Sequence, residues 1–306
     1  MKISILGAGN VGGTTAMRLA EEGLGDINLV DIAGGLACGK AFDLQDARAI
    51  TKHNYNVCGA NDIKEIKNSD VVVITAGLAR KPGMTREELL NKNAAILKDV
   101  CNNIKDLASE AIVIIVTNPL DLMTYFALKT TGFDKNRLFG MGTSLDAARF
   151  ANLIAEELNV SPVDVEACVI GIHGEGMLPL PKLTNIKGVT LDEFLNEEKI
   201  NDLVKKTVNR GAEIVSLLGS GSAYYAPSAA IADIVKVIVK DQKRTICVCA
   251  YLNGEYGIRD ACIGVPARLG KNGIEEIIEL DLSKEEKEIL IKSAANLKEQ
   301  YKLISA

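Results

Sequence analysis

The feature that most limits what this chain can become lies in its first dozen residues. A short apolar run, Lys2 to Leu6, leads straight into Gly7-Ala8-Gly9-Asn10-Val11-Gly12, and a helical pattern opens inside the motif. G-x-G-x-x-G between strand and helix does three separate jobs. One glycine makes the tight turn, one lets backbone approach a diphosphate, and one lets the helix pack closely on the strand. A diphosphate held there meets free N–H groups at the positive end of the helix dipole. Taken alone, the motif is also what an unliganded glycine-rich turn looks like. The next apolar run bears on the choice, because Asn28-Leu29-Val30-Asp31 ends in an acid 19 residues after Gly12. A carboxylate at that strand end accepts hydrogen bonds from adenosine ribose hydroxyls and repels a 2′-phosphate, so NAD is expected in preference to NADP. Asp31 can serve equally as a strand-end or helix N-cap residue.

The motif sits in a repeating pattern. Strand-like runs at 2–6, 27–31, 55–59, 70–75 and 111–117 are near-continuous Val and Ile, the signature of strands buried on both faces of a parallel sheet. Helical stretches at 11–22, 36–49 and 85–107 separate them, which predicts an α/β Rossmann fold, a doubly wound parallel sheet with right-handed crossovers. Beyond residue 143 the pattern changes to a helix at 144–158, a strand at 163–170 and long helices at 201–218 and 225–239. Strand runs at 245–252 and 258–265 then flank a hairpin turn, Asn253-Gly254-Glu255-Tyr256-Gly257, and a charged helix at 284–299 closes the chain. The expected organisation is a dinucleotide-binding Rossmann domain over 1–143 and an α+β substrate-binding domain over 144–306.

Composition narrows the function classes. With 35 basic and 40 acidic residues, a net charge of −5, no Trp, 7 Tyr and 6 Phe, the chain has no footprint for nucleic acid. Its apolar runs are of strand length, too short to span a membrane. Seven cysteines without a C-x-x-C pair, and only two histidines, His53 and His173, leave no metal spacing. Reduced thiols and a first strand that begins directly after Met1 lead to the expectation of a cytoplasmic protein without a signal peptide.

Four further segments hold candidate chemistry. Gly77-Leu78-Ala79-Arg80-Lys81-Pro82-Gly83-Met84-Thr85-Arg86 follows the strand at 70–75, and ligands bind at the carboxyl ends of strands in open α/β sheets. Thr85 and Glu88 form a capping box, which puts Arg86 in a first helical turn, where the dipole disfavours a cation. That raises interest in Arg86, although a solvated basic loop reads the same way. Asn118 precedes Pro119, which holds it extended or in a turn, so its amide can face the same cleft or merely close the turn. Asp146 and Arg149 are three apart at a helix start and share a face, as a routine ion pair or as a guanidinium clamp for a carboxylate. His173 lies in Gly171-Ile172-His173-Gly174-Glu175-Gly176-Met177, among glycines that leave an imidazole accessible, though a lone histidine is often structural. His53 reads as an exposed turn residue.

In this order, Gly7-x-Gly9-x-x-Gly12 with Asp31, Arg80-Lys81-Pro82-Gly83-Met84-Thr85-Arg86, Thr117-Asn118-Pro119, Leu145-Asp146-Ala147-Ala148-Arg149-Phe150 and Gly171-x-His173-Gly174 resemble the lactate/malate dehydrogenase family over nearly the whole chain. Within it the chain is most similar to the lactate-dehydrogenase-like malate dehydrogenases, and Ser222-Ala223-Tyr224-Tyr225-Ala226-Pro227 resembles their substrate-side helix. The resemblance implies an NAD-dependent oxidoreductase acting on malate and oxaloacetate, with a lactate or other 2-hydroxyacid dehydrogenase as the alternative. It implies His173 as general acid–base, Asp146 as the carboxylate that orients it, and Arg149 as partner of the substrate C1 carboxylate. Arg86 would polarise the carbonyl and Asn118 would bond near nicotinamide and substrate oxygen. Gly7, Gly9, Asn10, Val11, Gly12, Asp31, Asn93, Thr117 and Asn118 would contact the cofactor. Arg80 would pair with the second carboxylate of a dicarboxylate, and pyruvate would leave that cation unpaired. The family's His-Gly-Asp reads His173-Gly174-Glu175 here, an acid one methylene longer. A homo-oligomer, dimer or tetramer, is also implied, with no metal and no nucleic-acid or membrane partner.

Overall fold

A computed structural model describes residues 1–78 and 85–304. The first half runs β1 (Lys2–Leu6), α1 (Asn10–Glu21), β2 (Asp26–Val30), α2 (Gly34–Thr51), β3 (Val57–Ala60), β4 (Val71–Ile74), α3 (Arg86–Leu107), β5 (Ile112–Ile115), α4 (Leu120–Thr131) and β6 (Leu138–Gly140). The six strands are parallel in the order β3-β2-β1-β4-β5-β6, so the chain winds outward in both directions from β1 and β4. Every residue of β4 and β5 is buried, as their unbroken Val and Ile predict. Each such side chain contributes about 1.5–3 kcal/mol on burial. The capping box at the head of α3 is present: Thr85 Oγ1 accepts the Glu88 N–H at 3.0 Å and Glu88 Oε2 accepts the Thr85 N–H at 2.9 Å.

The second half comprises α5 (Ser144–Leu158), β7 (Val165–Glu166), β8 (Val169–Gly171), β9 (Met177–Pro179), β10 (Asn185–Ile186), β11 (Val189–Thr190), α6 (Glu197–Leu218), α7 (Tyr225–Val239), β12 (Arg244–Asn253), β13 (Arg259–Gly270), β14 (Gly273–Ile277) and α8 (Lys284–Tyr301). Its strands are antiparallel. Gly140 of β6 pairs with Cys249 of β12, so the parallel strands continue into β12-β13-β8-β9 as one sheet, with β14 on β13. The strand expected over 163–170 is two. A 3-10 turn, Pro162–Asp164, precedes β7, which pairs with β10 in a small separate sheet, whereas β8 pairs with β13 in the large one. The chain changes sheets at Ala167 and Cys168, where the Cys168 N–H donates to Thr184 Oγ1 at 3.2 Å.

Helix α4 escapes periodicity because almost all of it is buried, leaving no polar stripe to reveal it. It is tied to the β12–β13 hairpin by Asp260, the extra residue of a bulge at φ 56°. Its carboxylate accepts from Tyr125 at 2.9 Å and Tyr251 at 3.0 Å and pairs with Lys129 at 2.6 Å.

Candidate active site

The glycine motif forms the turn its spacing predicts, and each glycine is used differently. Gly7 has φ 107°, a region that favours glycine, and its N–H donates to the Val30 carbonyl at 2.8 Å. At Gly12 a Cβ would overlap the Gly7 carbonyl oxygen, so α1 can approach the turn only because that side chain is missing. At Gly9 nothing lies within 4 Å of the position a Cβ would take. Gly9 is the N-cap of α1, makes no side-chain cap, and no acid follows in the first turn. The helix end is therefore open, positive and bare, which fits the diphosphate of a nicotinamide dinucleotide.

Asp31 braces this cradle. Its Oδ2 accepts the Ala8 N–H at 2.6 Å and its Oδ1 accepts the Ala33 N–H at 2.9 Å. The N-cap of α2 is Ala33 itself, so Asp31 holds the strand end rather than capping the helix. Lys40, which sequence reasoning did not single out, lies across Gly13 and donates from Nζ to the Gly9 carbonyl at 2.9 Å. A lysine inside a helical run carries no sequence signal of that reach.

At the same sheet edge, Asn93 is buried and joins two loops. Its Oδ1 accepts the Leu78 N–H at 2.8 Å, and its Nδ2 donates to the Asn118 carbonyl at 2.9 Å. Thr117 Oγ1 donates to the Ala76 carbonyl at 2.6 Å. Asn118 is exposed and precedes a cis peptide bond to Pro119. Arg80 lies outside the described residues, and so does the side chain of Arg86, whose backbone opens α3.

Asp146, Arg149 and His173 come together. Asp146, in the first turn of α5, is fully buried, with the side chains of Arg149 and His173 11% and 15% exposed. Its Oδ1 accepts from Arg149 Nη1 at 3.2 Å and its Oδ2 meets His173 Nδ1 at 2.7 Å. One carboxylate thus orients both a guanidinium and an imidazole, and Nε2 is the ring nitrogen left for proton exchange. Helix α4 adds a group the sequence did not mark. Asp121 in its first turn is buried, and its Oδ2 accepts the backbone N–H of His173 at 2.9 Å. By sequence it is an ordinary first-turn acid; only the apolar run that follows it hints at an interior position.

Burial lowers the affinity of His173 for a proton. The hydrogen bond and charge of Asp146, helped by the charge of Asp121, outweigh it, and the imidazole titrates above its ordinary value. Burial pushes the Asp121 carboxyl up to about 6, against the pull of His173. No N–H or O–H among the described residues reaches its Oδ1, and the Cys249 thiol faces the carboxyl. His53 is half-buried, not exposed, and precedes β3 on the opposite edge of the sheet.

Residues 1–140 match the family description "lactate/malate dehydrogenase, NAD binding domain", and residues 143–306 match "lactate/malate dehydrogenase, alpha/beta C-terminal domain". Open cradle, Rossmann sheet and family match define an NAD-dependent oxidoreductase. The chain is 54% identical to a malate dehydrogenase of Methanosarcina acetivorans over 97% of each chain. Among solved structures, malate dehydrogenase from Picrophilus torridus superposes with a TM-score of 0.94 at 42% identity, covering 99% of this chain and 96% of that one. Lactate dehydrogenase from Eimeria maxima, solved with NADH and oxamate, gives 0.95 at 39% identity, covering 98% and 93%. The chain belongs to the lactate/malate dehydrogenase family.

Proposed function

We propose that this protein catalyses reversible hydride transfer between (S)-malate and NAD⁺, giving oxaloacetate and NADH. The observation that carries the chemistry is the buried carboxylate of Asp146, shared by His173 and Arg149, and the choice of malate is supported by the 54% identity to a malate dehydrogenase. When bound, the nicotinamide ring donates or accepts the hydride at the substrate's C2. In the reducing direction His173 gives the Nε2 proton to the carbonyl oxygen as that carbon becomes CH–OH, and in the oxidising direction it takes the proton back. Asp146 keeps the proton on Nδ1 and stabilises the imidazolium. The fork of Arg149 pairs with the C1 carboxylate, Arg86 stabilises charge developing on the carbonyl oxygen, and Asn118 hydrogen-bonds beside it. Arg80 pairs with the second carboxylate and makes the site one for dicarboxylates.

Gly7, Gly9, Asn10, Val11 and Gly12 hold the diphosphate in this reading. Asp31 holds the ribose, and Asn93, Thr117 and Asn118 frame the nicotinamide end. Residues 1–143 act as the cofactor domain and 144–306 as the substrate domain. No helix among the described residues is long and apolar enough to cross a membrane. We place the protein in the cytoplasm as a homodimer or homotetramer, a state supported by exposed Phe42 and Ile50 on α2 and Leu217 and Tyr225 on α6 and α7. The deciding experiment follows NADH oxidation with oxaloacetate and with pyruvate, then repeats both with NADPH. Strong preference for oxaloacetate and NADH is expected. Equal turnover of pyruvate would favour the lactate reading and overturn this one.

A further inference from the structure

Helix α6 contains a glycine, Gly211, in the interior of its 22 residues. Glycine weakens a helix interior relative to alanine, and the usual excuse for it, a positive φ, does not apply here. What Gly211 provides is space, and one group uses it. Beyond its own stretch of helix, the three atoms nearest to a Cβ at this position would be Nη1, Nη2 and Cζ of Arg149, at 3.3, 3.6 and 3.8 Å. All three belong to the same guanidinium. On another side Nη1 is held by Asp146 at 3.2 Å, and Asp146 is fully buried and bonded to His173. The Arg149 fork is therefore seated between a fixed carboxylate and the bare backbone of α6. A methyl group at residue 211 would push it by a few tenths of an ångström, and Asp146 cannot follow without dragging the imidazole.

We propose that Gly211 is a positioning residue for substrate recognition: its missing side chain seats the Arg149 fork at the angle that receives the substrate's C1 carboxylate. The proposal rests on the reading of Arg149 as a carboxylate clamp. Bidentate pairing is directional, so a small displacement weakens substrate binding before it touches proton or hydride transfer.

Three variants test this on the full-length protein: Gly211→Ala, Arg149→Lys and the double substitution. Steady-state kinetics with oxaloacetate, NADH titration by fluorescence and thermal melting are the readouts. Gly211→Ala should raise KM for oxaloacetate about fivefold, scaling from the roughly 100-fold cost of a 1 Å misplacement. Its kcat and NADH affinity should hold, and its melting temperature should stay level or rise, because alanine favours the helix. Arg149→Lys should raise KM more than Gly211→Ala, since lysine has no planar fork. For that reason the double variant should match Arg149→Lys alone, a non-additivity expected only if both act on one group. A wild-type KM in Gly211→Ala, or additive losses in the double variant, overturns the positioning role while Arg149→Lys still fails. Parallel losses of melting temperature, kcat and NADH affinity overturn it as well, in favour of general packing. An unchanged KM in Arg149→Lys instead removes the clamp reading on which the proposal stands.

Discussion

Replacing Asp146 by asparagine tests the centre of the proposed chemistry with almost no change of shape. The wild-type carboxylate accepts twice, from Arg149 Nη1 and from His173 Nδ1. An amide has one oxygen and one NH₂, so either orientation sets donor against donor at one of the two partners. If the NH₂ faces the ring, Nδ1 must give up its proton and the tautomer is inverted. The charge is lost in both cases. A hydrogen bond to a charged group is worth about 1.5–3 kcal/mol, which is about 1–2 pKa units on the imidazole. Burial of His173 is then opposed mainly by the charge of Asp121, and the pKa of the imidazole falls. For oxaloacetate reduction the protonated ring is the competent form, so kcat/KM falls as pH rises through the His173 pKa. In the variant that falling limb should move about 1–2 units toward acid, and at pH values above both limbs the rate should drop by about 10–100-fold. The assay is kcat/KM for NADH oxidation measured from pH 5 to 9. A limb that stays in place while the rate falls would refute the claim that Asp146 sets the protonation of His173.

Other outcomes follow from the same structure. Arg80→Gln should shift the ratio of oxaloacetate to pyruvate efficiency toward pyruvate by roughly two orders of magnitude, the scale of leaving one charge of a pair unmatched. An unchanged ratio would remove Arg80 from substrate selection. Gly9→Ala should melt like wild type but bind NADH more weakly, because its methyl occupies open space in the cradle. Gly12→Ala, whose methyl overlaps a carbonyl oxygen, should lower the melting temperature; the reverse pattern would contradict the assigned geometry. Asp121 titrates at about 6 in the folded state against 3.8 as its ordinary value, so its neutral form favours the fold and that stability is lost as pH rises through this window. The total is about 3 kcal/mol by linkage. Urea unfolding of wild type and Asp121→Asn at pH 5 and pH 7 should show the variant gaining about 1–2 kcal/mol relative to wild type over that interval. A difference that does not change with pH would place the cost elsewhere.

What could be read from the sequence followed from how each element is buried. Val71–Ile74 and Ile112–Ile115 announce interior parallel strands because nothing polar interrupts them, and the Thr85–Glu88 spacing is itself the capping geometry. Asp146 and Arg149 could be paired because an interval of three residues on a helix is a distance. Helix α4 offered no such handle, since a helix buried all round has no periodic contrast. Asp121 was invisible for a related reason: its partner is the backbone of residue 173, and nothing local encodes a contact across 52 residues of chain. The split of 163–170 into β7 and β8 depends on two different sheets claiming its ends. Gly211 reads as a mild defect until the arginine beside it is seen.

The open end of α1 makes ligand concentration part of the protein's own thermodynamics. Gly9 offers no side chain to the first N–H groups of the helix, and no acid in the first turn offsets its dipole. On the proposed reading, the group that completes this helix is one the gene does not encode. A ligand that binds the native state alone stabilises it by about 2.7 kcal/mol at a hundredfold excess over its Kd. Amide hydrogens of Asn10 and Val11 should therefore exchange readily in the free protein and slow as the dinucleotide pool fills. The resistance of the fold to unfolding would then rise and fall with the nucleotide supply around it.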